Sequence, residues 1–294
     1  DTACGGPGTI CRWAGTGEPA FVRDGIDRRE SPLNWPMDLS FAPDGRAYVL
    51  DWNNHRVRRV NLDDRFETVV GNELVGDGPP DLGDLVPPGS PGRDVELNHP
   101  TDIDFLPDGR VLVAAWHNHK IRVLDPATGL VTVMMGRGPG SAPEGILASK
   151  PEALLNQPKS VAVDPAGVVY VTDSRTQKIR RIGTDGIVST VAGTGVVGFS
   201  GDGGPAREAT FSMQHANENP EPGGNIAIDR QGRLFLADTY NHCVRMIDPA
   251  TGIVTRIAGT GTPGLSGDGG PASSAQLGGP RDLEFGPDGR LYIA

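Results

Sequence analysis

His55, His119 and His242 occupy one register of a recurring frame, each directly after an asparagine (Asn54, Asn118, Asn241). Imidazoles in number are what a zinc site requires. Their recurrence argues the other way. Residues at one register of successive repeats lie apart around a ring, so each histidine is expected to hydrogen-bond locally and steady its own loop. A second set is acidic. Asp38, Asp102 and Asp282 share a register, filled by Ser160 and Asn225 in the other copies, and Asp104 and Glu284 lie two residues further on. Several carboxylates converging on one point are the oxygen ligands of a hard cation, calcium above all. In the competing reading they accept backbone hydrogen bonds where a strand begins, and face water.

Other constellations carry less. Gly193-x-Gly195-x-x-Gly198 and Gly259-x-Gly261-x-x-Gly264 mimic a dinucleotide fingerprint. That mechanism needs a following helix N-terminus for the pyrophosphate, and Gly-Asp-Gly-Gly-Pro follows instead. The glycines serve a sharp exit from a strand. Arginines alternate along Arg56, Arg58 and Arg59, and along Lys178, Arg180 and Arg181. They are expected to pair with nearby Asp and Glu, not to form a nucleic-acid face. No Gly-x-Ser-x-Gly elbow, Cys/His pair or zinc-spaced motif appears, so the balance favours a binding module over an enzyme.

The frame that positions these residues is a repeat. Pro36–Gly71 recurs as Pro100–Gly136, Pro158–Gly193 and Gly223–Gly259, and a fifth copy begins at Pro280. Repeats of this period demand a solenoid, propeller or array reading first. Each copy reads as four antiparallel strands. The first alternates apolar residues (Leu39 and Phe41, Ile103 and Phe105) and closes in Pro43-Asp44-Gly45 or Pro107-Asp108-Gly109, where Gly supplies the left-handed turn position. RAYVLD or VVYVTD is the second strand, HRVRRV or QKIRRI the third, and LVTVMM or IVSTVAG the fourth. A four-stranded unit cannot bury both faces alone. Units packed around an axis can, which makes an all-β propeller.

Residues 9–17 (TICRWAGTG) match a fourth strand with no first three before it, while the fifth copy lacks its third and fourth. This predicts an N-terminal outer strand latching the last blade. The propeller is expected over residues 9–294, as a fragment of a six-bladed ring, with a native five-bladed ring as the alternative.

The formal charge of −10 argues against nucleic acid or an anionic membrane as partner. No apolar run approaches the roughly 18 residues of a membrane span. A first residue of Asp1 suggests a processed chain. Cys4 and Cys11 flank Gly-Gly-Pro-Gly in a head segment, residues 1–8 and just beyond. A disulfide between them would imply an oxidising, extracytoplasmic compartment. Cys243 is expected to be an inert thiol.

Asp51-x-x-Asn54-His55-Arg56-Val57-Arg58, its counterpart Asp238-x-x-Asn241-His242-Cys243-Val244-Arg245, and the Pro-Asp-Gly-Arg turns before them resemble the NHL repeat family. The connectors Ser200–Ala206 and Ser266–Ala272, both SGDGGPA, are similar to those of secreted bacterial members. Copy three departs with Thr176-Gln177, and copy two has Ala115 for the aspartate. The resemblance implies a β-propeller with protein-binding, RNA-binding or enzymatic capacity. NHL-like lyases that release peptide amides bind zinc through histidines after the strand-opening proline; here those positions are Met37, Thr101, Lys159, Gly224 and Arg281, which counts against that activity. A lactonase-like enzyme would need the axial acids and a calcium ion. The long connectors, 72–99 and 194–222, gather with the second-to-third strand loops on one face, where loops on a rigid scaffold carry binding. Trp52, Asn53, Trp116, His117 and Tyr240, together with these two connectors, are therefore the expected working surface, for a secreted or cell-surface module binding a protein or glycan.

Overall fold

The computed structural model of the chain describes residues 10–214 and 223–294. Cys4 lies outside the described residues, and with it the expected bridge to Cys11; His215 lies outside them as well. Four complete antiparallel blades follow one another. Blade I comprises β1 (Pro36–Phe41), β2 (Ala47–Asp51), β3 (Arg56–Val60) and β4 (Phe66–Gly71). The two-residue β5 (Ser90–Pro91) belongs to the next connector. Blade II is β6 (Pro100–Phe105), β7 (Val111–Ala115), β8 (Lys120–Asp125) and β9 (Leu130–Met135). Blade III is β10 (Pro158–Val163), β11 (Val169–Asp173), β12 (Lys178–Ile182) and β13 (Val188–Ala192). Blade IV is β14 (Ile226–Ile228), β15 (Leu234–Asp238), β16 (Cys243–Asp248) and β17 (Ile253–Ala258), and the pair β18 (Leu283–Phe285) and β19 (Leu291–Ile293) starts a fifth.

Strands run in chain order from the axis outward, and the innermost strands β1, β6, β10, β14 and β18 touch in sequence. The turn chemistry is as expected: Gly45 and Gly109 sit at φ 82° and 86°, and Asp44 and Asp108 accept the N–H groups of Arg46 and Arg110. Apolar cores lie between blades. Leu50, Val57 and Val70 of blade I pack with Ile103, Val113 and Ala115 of blade II, along with Val95 and Leu97 of the connector. Equivalent clusters join blades II to III, III to IV and IV to V.

Gly71, Gly136, Gly193 and Gly259 end the outer strands at positive φ. A Cβ at any of them would come within 2.0–2.3 Å of the carbonyl oxygen of His55, His119, Gln177 or His242. That clash explains glycine at this register.

The expectation for residues 9–17 is not met over the described part. Residues 10–17 form no strand. Trp13 and Ala14 instead pack, with Leu33, on Val49, Val60 and Phe66 of blade I, and the Gly15 N–H donates to the Arg28 carbonyl.

Candidate functional site

The repeated polar residues join each blade to the next. A register shift between Pro36 and Asp38, repeated between Pro100 and Asp102, is a bulge that re-aims the side chain. Asp38 Oδ2 accepts the Ile103 N–H of blade II at 2.8 Å. Asp102 Oδ2 accepts the Val161 N–H at 2.8 Å and the Ser160 hydroxyl at 2.6 Å. Ser160 Oγ then accepts the Ile226 N–H at 3.1 Å, and Asn225 Oδ1 the Leu283 N–H at 3.2 Å. Asp, Asp, Ser and Asn thus do one job, accepting an N–H of the following blade. Asp104 does the same one step along, taking the Val163 N–H at 2.6 Å.

These residues line an axial cavity of about 920 Å³, walled by all five inner strands with Asp38, Asp102, Asp104, Asp282 and Glu284 among its lining. Burial, then the nearby Asp282, raises the Asp38 carboxyl to about 7. Burial, then Asp38, pushes Asp102 well up, and burial lifts Asp104 to about 7. Glu284 is raised by burial and by Asp282. Lys159 reaches the same region from below the mouth, its ammonium donating to the Thr101 carbonyl at 3.3 Å. Among the described residues, no three His, Cys, Asp or Glu side chains come together as a metal-binding group.

At His55 and His119 the histidine register acts between blades, not within its own loop, while His242 Nδ1 makes no such bond. His55 and His119 sit at φ 52° and 57°, each closing a three-residue 3₁₀ turn. His55 Nδ1 accepts the His99 N–H at 3.2 Å, and His119 Nδ1 the Gln157 N–H at 3.1 Å. In copy three Gln177 Oε1 takes the Met213 N–H at 2.9 Å, so glutamine substitutes for histidine without loss of the bond.

The third-strand arginines pair with acids, as expected, but deep inside. Arg58, Arg122, Arg180 and Arg245 are fully buried and reach the connector preceding their blade. Arg122 meets buried Asp84 at 3.1 Å, Arg180 meets Glu144 at 2.9 Å, and Arg245 meets Asp202 at 2.9 Å.

One surface cluster remains outside these ties. On the face where the inner strands start, exposed Trp35 packs edge-on against Trp52 with ring centroids 5.6 Å apart. Trp52 lies 4.4 Å from the His99 ring, and His99 lies 5.0 Å from His117. Beyond them Arg175 Nη1 donates to Gln157 Oε1 at 3.4 Å. Trp35, His99 and Gln157 each precede a strand-opening proline, at φ 55°, 53° and 56°. A residue before proline prefers extended backbone, and left-handed geometry at a non-glycine residue is costly.

Of the expected surface, Trp52, Asn53 and His117 belong to this cluster or its edge. Asn53 Nδ2 donates to Asn34 Oδ1 at 3.4 Å. Tyr240 is half-buried on the equivalent turn of blade IV. Trp116 is 2% exposed and stacks beneath His117 with centroids 3.8 Å apart; it supports the surface from below. Trp35 was not among the expected residues, and His99 was expected only as the end of the connector 72–99. Their signal was positional: each is the last residue of a connector.

The NHL repeat model matches residues 155–182. The chain is 28% identical over 298 residues to Protein SUPPRESSOR OF QUENCHING 1, chloroplastic, of Arabidopsis thaliana, covering 97% of this chain and 26% of that protein. It is 25% identical over 265 residues to NHL repeat-containing protein 2 of Homo sapiens, covering 81% of this chain and 34% of that one. The chain therefore spans between about a quarter and a third of these relatives. Among solved structures, a propeller from a nidogen/laminin complex superposes with a TM-score of 0.55 at 16% identity, over 90% of this chain and 73% of that one. At that identity the likeness is one of fold.

Proposed function

This chain is an NHL-repeat β-propeller, and on that premise we propose that it is a binding module whose recognition surface is the strand-start face around Trp35, Trp52, His99 and His117. The observation that carries the reading is the Trp35–Trp52–His99–His117 run. Large rigid rings stand half-exposed there on a backbone held in costly geometry before two prolines. Strained residues persist where the surroundings over-determine them, and they cluster at ligand clamps. Tryptophan anchors ringed by polar groups are the usual centre of a protein-binding surface. Asn53, Gln157 and Arg175 supply that rim. The partner is a protein segment presenting an apolar side chain between polar ones. The extracytoplasmic setting rests on Cys4 and Cys11, and the mass difference between alkylated reduced and non-reduced chain tests it.

The experiment is comparative capture. Wild type, Trp35→Ala and Arg110→Ala, a change at a turn on the opposite face, are immobilised and their bound proteins compared. A protein held by wild type and Arg110→Ala but released by Trp35→Ala supports the reading. A protein held equally by all three places recognition elsewhere.

A second reading, an enzyme of lyase or lactonase type with an axial cation, draws on the raised Asp38 and Asp104 carboxyls in the cavity. Calorimetric titration of wild type and Asp102→Asn with calcium separates the two.

A further inference from the structure

Three side-chain heteroatoms meet within hydrogen-bond distance on the strand-start face. His99 Nδ1 lies 2.8 Å from Asn98 Oδ1 and 3.1 Å from His117 Nδ1, and His117 Nδ1 lies 3.4 Å from Asn98 Oδ1. A metal ion roughly 2.0–2.1 Å from each donor would set them roughly 2.9 Å apart at a right angle and roughly 3.4 Å apart at a tetrahedral one. The three separations, 2.8, 3.1 and 3.4 Å, run from just below the right-angle value to the tetrahedral one. We propose that His99, His117 and Asn98 form a binding site for one divalent transition-metal ion of the zinc, nickel or copper class.

The three side chains are held in place before any ion arrives. The Asn98 N–H donates to Asn118 Oδ1 at 2.9 Å, and its carbonyl accepts the His117 N–H at 3.2 Å. The His99 N–H is tied to His55 Nδ1, while its left-handed backbone fixes where the ring points. Trp116 stacks on His117 with planes inclined by 22°. Fixed ligands with supporting outer contacts are what raises metal affinity. A neutral imidazole is the form that ligates. On binding, each ring carries its remaining proton on Nε2.

The donor set decides the class of ion. Two imidazoles and one amide oxygen suit zinc, nickel and copper, whereas calcium and magnesium need more oxygen ligands. Three protein donors leave at least one coordination position open. A carboxylate or imidazole of the partner, or water, fills it. The site goes beyond the binding reading and does not depend on it: Trp35→Ala removes the exposed anchor and leaves all three donors.

Isothermal titration of the untagged chain at pH 7.5 with zinc and with nickel chloride should give saturable uptake of one ion per chain. His117→Ala and His99→Ala should each weaken it by at least tenfold, and His119→Ala should leave it unchanged. Copper-loaded wild type should show two-nitrogen hyperfine structure in its electron paramagnetic resonance spectrum. His117→Asn, compared with wild type by circular dichroism melts without metal, separates lost ligation from lost folding. Absence of saturable uptake, uptake equal in His117→Ala and wild type, or equal competition by calcium overturns the proposal.

Discussion

Replacing Asp173 with asparagine should stabilise the propeller at alkaline pH and leave it nearly unchanged in acid. Asp173 ends β11 with its side chain fully buried. Its Oδ1 accepts the Asn156 N–H at 2.7 Å, while Oδ2 has no partner. The same register elsewhere is better served. Asp51 Oδ2 meets Asn54 Nδ2 and Arg56 Nε, both at 3.0 Å, and Asp238 Oδ2 meets Asn241 Nδ2 at 2.9 Å. Copy three has Thr176 and Lys178 in those places, so burial dominates and lifts the Asp173 carboxyl from 3.8 to about 7. Asp238, with its asparagine, is lifted only to about 6. A folded-state pKa above the unfolded one contributes stability that is full below about 3.8 and is lost as pH rises through about 7. Between pH 5 and 8 that loss is roughly 2–3 kcal/mol at about 1.4 kcal/mol per unit. Asparagine keeps the acceptor for Asn156 and carries no charge to bury. Denaturant melts of wild type and Asp173→Asn at pH 5 and pH 8 measure the difference directly. The variant should fall less between the two and be the more stable at pH 8. If it is instead less stable at pH 8 with an unchanged pH slope, the attraction of Arg180 and Lys178 outweighs burial and the reasoning fails.

Arg122→Ala removes the partner of fully buried Asp84 and should cost about 3–5 kcal/mol in denaturant unfolding, against less than about 1 kcal/mol for exposed pairs such as Arg110–Asp108. His119→Gln should be nearly neutral in thermal melts, as Gln177 already does this work, whereas His119→Ala leaves the Gln157 N–H without its acceptor and should cost about 1–3 kcal/mol. Cys243 is fully buried with its thiol pushed up to about 12, so the folded chain should show no reaction of this residue with a thiol reagent, and denaturation should release one.

The blades were legible because period, Pro-Asp-Gly turns and short β-rich runs agree in register, and each rests on interactions close in sequence. The roles of the repeated side chains were not. A histidine after asparagine looks like part of its own loop; only the left-handed backbone at His55 and His119 turns each ring toward the next blade. The acids at 38 and 102 show the same gap, since a bulge aims them sideways and spends one oxygen of each on a neighbouring strand. Trp116 and Trp52 stand at one register, yet His117 covers the first while the second keeps an exposed edge toward Trp35. The difference is made by the residue that follows: Asn53 in one copy, and in the other His117, whose ring stacks on Trp116.

The axial ties at Asp38, Asp102, Ser160 and Asn225 run one way, each blade offering an acceptor to an amide of the one that follows. Their consequence is for how such a ring changes size. Excising residues 100–157, one whole period, would set Asp38 against the Val161 amide, leave His55 with the His99 amide, and give Arg180 the connector carrying Asp84. Each of these ties has a counterpart already present at the old seams. Duplication or loss of a complete unit therefore keeps these ties at the joint, while a cut that falls out of register strands an acceptor from its amide. Gene rearrangements that survive in this lineage should fall on that period.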